Sequence, residues 1–162
     1  MDKRFLAPLG IGLAVIAMAV AGVFYMQRGA HVELKGAILK VRTQAMDENS
    51  CVAIVDFRFA NPSNYPFVVR TVDVTMEDKD GKPHQGSTVS EPDAVRLFQY
   101  YPALGQKYNS SLIMSNKIGP RLSEDRMIAA RFEVPVDKLD ARKQIKVRIE
   151  DVDGPVSELV GK

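Results

Sequence analysis

Cys51-Val52-Ala53-Ile54-Val55-Asp56-Phe57-Arg58-Phe59-Ala60-Asn61-Pro62 is the most sharply patterned stretch of the chain. Val55, Phe57 and Phe59 alternate with Asp56 and Arg58, the period of two expected of a strand with one face in a core. Asn61-Pro62-Ser63-Asn64-Tyr65-Pro66 must then turn, because each proline fixes its own φ and removes a ladder donor. Asn61 can also bond the backbone two residues on, so Asn61 and Pro62 are read as fold-making. A third strand over Phe67 to Glu77 carries Val68, Val72, Val74 and Met76 on one face.

Outward from this unit the period of two persists. Val32, Leu34 and Ala37 to Val41 predict a first strand of about a dozen residues, bent at Gly36. Asp80-Gly81 is a hairpin signal, since glycine tolerates the positive φ such turns need. Lys82 to Ser90 then returns as an edge-like strand interrupted by Pro83. Ser90 can cap a short helix with Pro92 in its first turn and Ala94, Leu97, Phe98 and Tyr101 on one side, and Pro102 ends it. Tyr108 to Met114 and Arg126 to Val134 read as two more strands, and Pro135 to Lys143 as a helical turn or short helix. Ile145, Val147 and Ile149 give the last strand, which ends at Asp153-Gly154. The expectation is a mainly β domain over residues 32–154: an immunoglobulin-like antiparallel β-sandwich of about seven strands with one short inserted helix. Residues 155–162 read as a C-terminal tail.

Ahead of this domain, Phe5 to Met26 runs 22 residues without a charge, behind Lys3 and Arg4. About 20 apolar residues suffice to cross a hydrocarbon core of roughly 30 Å, so 5–26 predicts a single transmembrane helix. A cleaved signal peptide is disfavoured, because its apolar region usually runs about 7–15 residues and cutting after Ala19 or Ala21 would leave an apolar N-terminus. No cysteine at the end of the run offers a lipidation site. Lys3, Arg4 and the amino terminus place residues 1–4 in the cytoplasm as a tail. The linker 27–31 and the domain then lie outside, in the periplasm of a cell that has one, with the chain in the cytoplasmic membrane.

Gly10, Ala14, Ala17 and Ala21 fall on one stripe of that helix. Small residues let two helices approach closely in lipid, so the stripe is a candidate packing face for another transmembrane helix or a membrane complex.

The chain carries 22 Lys and Arg against 20 Asp and Glu, and from Gly29 onward the count is 19 against 19. A balanced domain argues against nucleic acid as a partner, which needs clustered cations. The lone Cys51 excludes an intrachain disulfide and reads as a small buried residue.

Glu77, Asp78, Asp80 and His84 invite a metal reading. A calcium loop with Gly81 sixth, however, would need a carboxylate where Met76 stands first and a glutamate where Ser87 stands twelfth. Asp151, Asp153 and Gly154 fail in the same way. The second histidine, His31, sits at the membrane exit, and the pair Glu124 and Asp125 has no visible apolar pocket around it. No catalytic, cofactor-binding or metal-ligating set emerges, and no cofactor is expected. The aromatic cluster Phe98, Tyr100, Tyr101 and Tyr108 is the candidate partner surface, since tyrosine is enriched at interface hot spots. Helical spacing alternatively predicts that Leu97, Phe98 and Tyr101 pin the helix to the sandwich and Tyr100 alone faces out.

The phrase Val55 to Pro62, followed by Tyr65-Pro66-Phe67 and by Asp78-Lys79-Asp80-Gly81, resembles the LEA14-like domain, also called the water-stress and hypersensitive-response domain. Ile118-Gly119-Pro120 and Phe132-Glu133-Val134-Pro135 are similar to that family's loop and penultimate strand. The resemblance spans about residues 32–153, and the helix around Arg96-Leu97-Phe98 departs from it as an insertion. It implies a non-catalytic sandwich associated with stress protection or protein interaction and supplies no catalytic residues.

The expected function is therefore a non-enzymatic, membrane-anchored extracytoplasmic protein whose sandwich contacts other proteins. The alternative is a single-span accessory subunit of a larger membrane complex, packed through its small-residue face. An enzyme is the least favoured class.

Overall fold

The computed structural model describes residues 3–27 and 33–162, within two compact units, Met1–His31 and Val32–Lys162. In the first unit Lys3–Gln27 is one helix of 25 residues, α1. Its described side chains, 12–25, are all exposed, Leu13, Ile16, Val20 and Phe24 among them. Among the described residues no helix is long and apolar enough to cross a membrane. Met1, Asp2 and most of the expected linker, His31 included, lie outside the described residues, as do the side chains of Lys3 and Arg4.

The second unit contains β1 (Lys35–Ala45), β2 (Cys51–Ala60), β3 (Phe67–Glu77), β4 (Pro83–Thr88), α2 (Glu91–Tyr100) and a 3-10 turn at Pro102–Leu104. It continues with β5 (Lys117–Ile118), β6 (Ser123–Phe132), α3 (Val136–Asp140), β7 (Gln144–Asp151) and β8 (Val156–Gly161). All eight strands pair antiparallel in the order β1-β2-β6-β4-β3-β7-β8, with β5 on β3.

β4 joins the two halves. Its first residues pair with β3 from Glu77↔Pro83 to Val74↔Gly86, and Ser87 and Thr88 then pair with Arg131 and Ala130 of β6. The groups β1-β2-β6 and β3-β7-β8 thus face each other as two layers, the chain order of strands A-B-E and C-F-G in an immunoglobulin-type sandwich. At the far margin β1 and β8 meet, where the Leu34 amide donates to Ser157 Oγ at 2.8 Å.

The core lies between the layers, where Val55, Phe57, Phe59 and Phe132 meet Val74, Met76, Ile145, Val147 and Ile149. Each such side chain contributes about 1.5–3 kcal/mol through burial. β2 is buried on both faces. Its outward residues Val52 and Ile54 sit with Met127 and Ala129 under Ala94 of α2 and Leu104 of the 3-10 turn. The helix forms as its sequence predicts: Ser90 Oγ accepts from the Asp93 amide at 3.3 Å, Pro92 occupies the first turn, and Glu91 and Asp93 complement the helix dipole.

β2 and β3 span the predicted residues, while other expectations need correction. Among the described residues there are eight strands, against an expectation of about seven. Tyr108 to Met114 is not a strand: it makes one parallel bridge, Ser111↔Met127, and leaves that course at Ser115 with φ 67°. The Ser111 amide of this segment donates to the Glu91 side chain, which also pairs with Lys107 just ahead of it.

Residues 155–162 are not a tail, because Val156–Gly161 forms β8, with Ser157 and Leu159 buried and Glu158 and Val160 exposed. Asp153-Gly154 accordingly turns the chain from β7 into β8 and does not close the domain. β1 is irregular between Ile38 and Lys40, not at Gly36. Gly36 answers a different constraint: a Cβ there would lie 2.2 Å from the Arg58 carbonyl oxygen.

Candidate functional site

The segment from Ser90 to Asn109 lies over the outer face of β1-β2-β6 and carries all four predicted aromatic residues. It is tied down by one arginine. Arg42 on β1 donates from Nη1 to the carbonyls of Leu104 (2.7 Å) and Gln106 (2.8 Å), and from Nη2 to Asp56 Oδ2 on β2 (2.7 Å). Its guanidinium also stacks 4.9 Å from the centre of the Phe98 ring. Asn109 Nδ2 completes the link by donating to Asp56 Oδ1 at 3.0 Å. Lys107 pairs with Glu91 at 2.5 Å, so both ends of the segment are closed against each other.

Of the four aromatics, Phe98 and Tyr101 are half-buried and pack with Leu97 on the cluster around Val52 and Ile54. Tyr100 and Tyr108 are 77% and 75% exposed. The aromatic set therefore divides, with two residues fastening the cover and two facing out. Tyr100 stands edge-on to Tyr101, ring centres 4.8 Å apart.

Beside that pair opens a shallow groove of about 400 Å³, lined by Met46, Val89, Leu97, Tyr100 and Tyr101, with Arg96, Asp93 and Arg131 at its rim. Met46, Val89 and Arg131 come from the sandwich, and the other five from the helix and its C-cap. Sequence periodicity does not disclose this groove, since it exists only where α2 lies across β6. The signal that was available is the interruption of the strand pattern between Pro92 and Gly105.

The other candidate residues have structural partners. Asp78 is buried and organises the β3–β4 turn. Its Oδ1 accepts from the amides of Asp80 (3.0 Å) and Lys82 (2.9 Å), while Oδ2 meets His84 Nε2 (2.9 Å) and Lys138 Nζ (3.0 Å). The His84 hydrogen bond, then the Lys82 amide and Lys138, hold its carboxyl far below the usual carboxylate range, against burial. Gly81, at φ 80°, supplies the left-handed position of this turn. Glu77 bonds Lys143 at 2.9 Å and also Gln144. Among the described residues no group of His, Cys, Asp and Glu is placed to hold a metal ion.

Cys51 is fully buried at the start of β2. Burial, reinforced by Asp140 and Asp47, pushes its thiol up to about 11, so it is not a thiolate at neutral pH. Asp125 forms a two-point pair with Arg58 at 2.6 and 2.8 Å, and Glu124 pairs with Arg126, so these carboxylates do not act as a couple.

Asn61 is a buried hub: Nδ2 donates to the carbonyls of Tyr65, Ile118 and Gly119, and Oδ1 accepts from the amide and hydroxyl of Ser63. On α1, Ala14, Ala17 and Ala21 are exposed, and the surroundings of Gly10 lie outside what is described.

No family model matches the chain, and no curated protein matches it. Among solved structures it is similar to the archaellum periplasmic stator protein FlaG from Sulfolobus acidocaldarius, at 11% identity over 79% of this chain and 99% of that one, TM-score 0.34. It is also similar to the complex of archaellum periplasmic stator proteins FlaF and FlaG from the same organism, at 11% identity, 80% and 89% coverage and TM-score 0.33. A third similarity is to the Iho670 flagellar-like filament, at 11% identity, 99% and 98% coverage and TM-score 0.35. Likeness at this level carries no argument about what this chain does.

Proposed function

We propose that this chain is a non-enzymatic, membrane-anchored binding protein whose immunoglobulin-like sandwich works outside the cytoplasm and contacts another protein through the groove beside α2. The observation that carries the reading is the groove itself. It is apolar at the floor, charged at the rim, and has Tyr100 standing open at its edge. An aromatic anchor beside an apolar recess with arginines around it is the composition of an interface hot spot. Asp78 and Glu124 are each bonded in ways that account for them structurally, and Cys51 is packed in the core, so none supplies a nucleophile beside a base. The strand, Asn-Pro turn, strand and Asp-Gly hairpin over 55–81 also support grouping this domain with LEA14-like sandwiches.

Anchoring through residues 5–26 is supported by their uncharged run, by the unbroken helix, and by the exposure of every described apolar side chain on it, which in water would be costly. Affinity purification from membranes in mild detergent tests the main reading. A protein that co-elutes with the full chain should be lost with Tyr100→Ala and with Arg131→Glu, while both variants keep the wild-type unfolding midpoint. Co-elution unchanged by either variant removes the groove from the function.

The exposed small face of α1 favours a second reading, an accessory subunit packed in the membrane. In that case Ala14→Leu with Ala17→Leu releases the partner, and the groove variants do not.

A further inference from the structure

One end of the sandwich concentrates exposed apolar side chains at loop tips. At this proximal end, where Lys35 begins β1 opposite Ala60 and Ser123 begins β6 opposite the same residue, three loops come together. They are the 61–66 turn, the 119–122 loop after β5 and the 152–155 turn. Asn61 Nδ2 joins the first two through the Ile118 and Gly119 carbonyls, and the Val152 amide bonds the Val68 carbonyl at 3.0 Å. Met114 lies further along the sandwich beside Thr71, Asp73 and Thr88, whereas at this end Tyr65, Leu122 and Val152 are about half exposed. Lys117 and Arg121 are exposed beside them, and Asp153 is the one carboxylate these loops carry.

The loop geometry is unusual at one of the same places. Ser115 and Arg121 are the two described non-glycine residues with positive φ, at 67° and 60°. One follows Met114 and the other precedes Leu122. A left-handed conformation is unfavourable for such residues and is held here by surrounding bonds, including Ser115 N to the Val69 carbonyl and Arg121 Nε to Asn64 Oδ1. Of the two, Arg121 adjoins an apolar side chain displayed at this end, Leu122.

Chain connectivity selects the occupant. Gln27, the last residue of α1, and Glu33, next to this end of the domain, are six peptide steps apart. Fully extended, those steps reach at most about 22 Å. With α1 anchored in a bilayer, the domain is tethered by its proximal end. We propose that this end docks on the bilayer surface, with Tyr65, Leu122 and Val152 entering the headgroup region and Lys117 and Arg121 meeting anionic lipid phosphates. Amphipathic and apolar tips combined with basic residues are the chemistry that binds such an interface. The inference rests on the anchoring proposed above.

The test uses the full chain in nanodiscs of phosphatidylcholine with a quarter phosphatidylglycerol. An environment-sensitive fluorophore is attached at Leu122→Cys, at Val152→Cys or, as control, at Tyr100→Cys; Cys51 is buried and stays unlabelled. Co-elution of the chain with the discs reads the anchor independently, and its failure overturns both anchor and docking. Docking predicts blue-shifted emission and quenching by spin-labelled lipid at positions 122 and 152, neither at 100, and loss of the shift when Lys117→Glu and Arg121→Glu are added. Labels at 122 and 152 that respond no more than the control, in discs that do carry the chain, overturn docking alone. A label shielded from soluble quencher but untouched by the lipid quencher reports a protein contact and likewise overturns it.

Discussion

Arg42 Nη2 lies 2.7 Å from Asp56 Oδ2, and the two side chains are 10% and 8% exposed. This pair joins β1, β2 and the 102–109 cover, because the same guanidinium bonds the Leu104 and Gln106 carbonyls. Removing one member of such a pair strands the other charge in the interior, which costs about 3–5 kcal/mol. Arg42→Met is expected to show a loss of that size in urea unfolding, and Arg42→Met with Asp56→Leu a smaller one. Equal losses in the single and double variants would show that the pair is not the source.

Asn61 saturates its amide with backbone carbonyls of two different loops. Asn61→Ala is expected to lower stability by about 1–3 kcal/mol, the cost of buried acceptors left without donors. Asn61→Asp should be worse near neutral pH, because a carboxylate would face those three carbonyls. Thermal unfolding of the two variants checks the order, and a milder effect for Asn61→Asp refutes this account of the hub.

Acid sensitivity should trace to Asp78. Its carboxyl titrates far lower in the folded chain than the about 3.9 of an unfolded aspartate. The ionised form therefore stabilises the fold fully above about pH 4, and that stabilisation is lost as pH falls below 4 toward the folded value. Urea midpoints measured at intervals from about pH 5 to pH 2 should fall more steeply for the wild type than for Asp78→Asn. Parallel curves would assign the acid sensitivity elsewhere.

Cys51 is sealed and protonated in the native state. A thiol-reactive chromogenic disulfide at mildly alkaline pH should label it only after denaturant unfolds the domain. Cys51→Ser should destabilise more than Cys51→Ala, since the hydroxyl would need a hydrogen-bond partner in an apolar site. Rapid native labelling would contradict the burial.

Gly36→Ala places a methyl group 2.2 Å from the Arg58 carbonyl oxygen. The expected cost is at least the about 1–3 kcal/mol of ordinary overpacking, because backbone and not a flexible side chain blocks the space. Backbone amide exchange should quicken across Lys35 to Ile38 and their partners on β2. Unaltered exchange there would mean that the β1–β2 ladder adjusts freely.

Legibility in the sequence followed how local the signal was. β2 matched its predicted residues because alternation, the Asn-Pro turn and the Asp-Gly hairpin all act within a few positions; β3 matched in extent, but a bulge between Val69 and Thr71 puts Phe67 and Val69, not Val68, in the core. The Ser90 cap with Pro92 marked α2 for the same reason. β8 was missed although Ser157 and Leu159 alternate with Glu158 and Val160, because one large apolar residue at an inward position is too weak a signal alone. Tyr108 to Met114 misled in the opposite direction. Its composition suits a strand, but Glu91, twenty residues earlier, captures the Ser111 amide. For the candidate site, the sequence identified the aromatic residues and the helical spacing that buries Phe98 and Tyr101; it did not anticipate Arg42 beneath them or the groove beside them.

By itself the sequence determined what local chemistry determines: the period of two, the turns, the helix cap, the balanced charge and the uncharged run at the start. These need only neighbouring residues to be stated. Tertiary structure alone decided that β4 crosses from one layer to the other, that β2 is buried on both faces, and that Arg42, Asp56, Phe98 and Asn109 meet. Those contacts join residues tens of positions apart, and their energies arise from desolvation and packing that exist only once the layers have closed. The three proximal loops follow the same rule, since their apolar tips share one end only because the strand registers place them there.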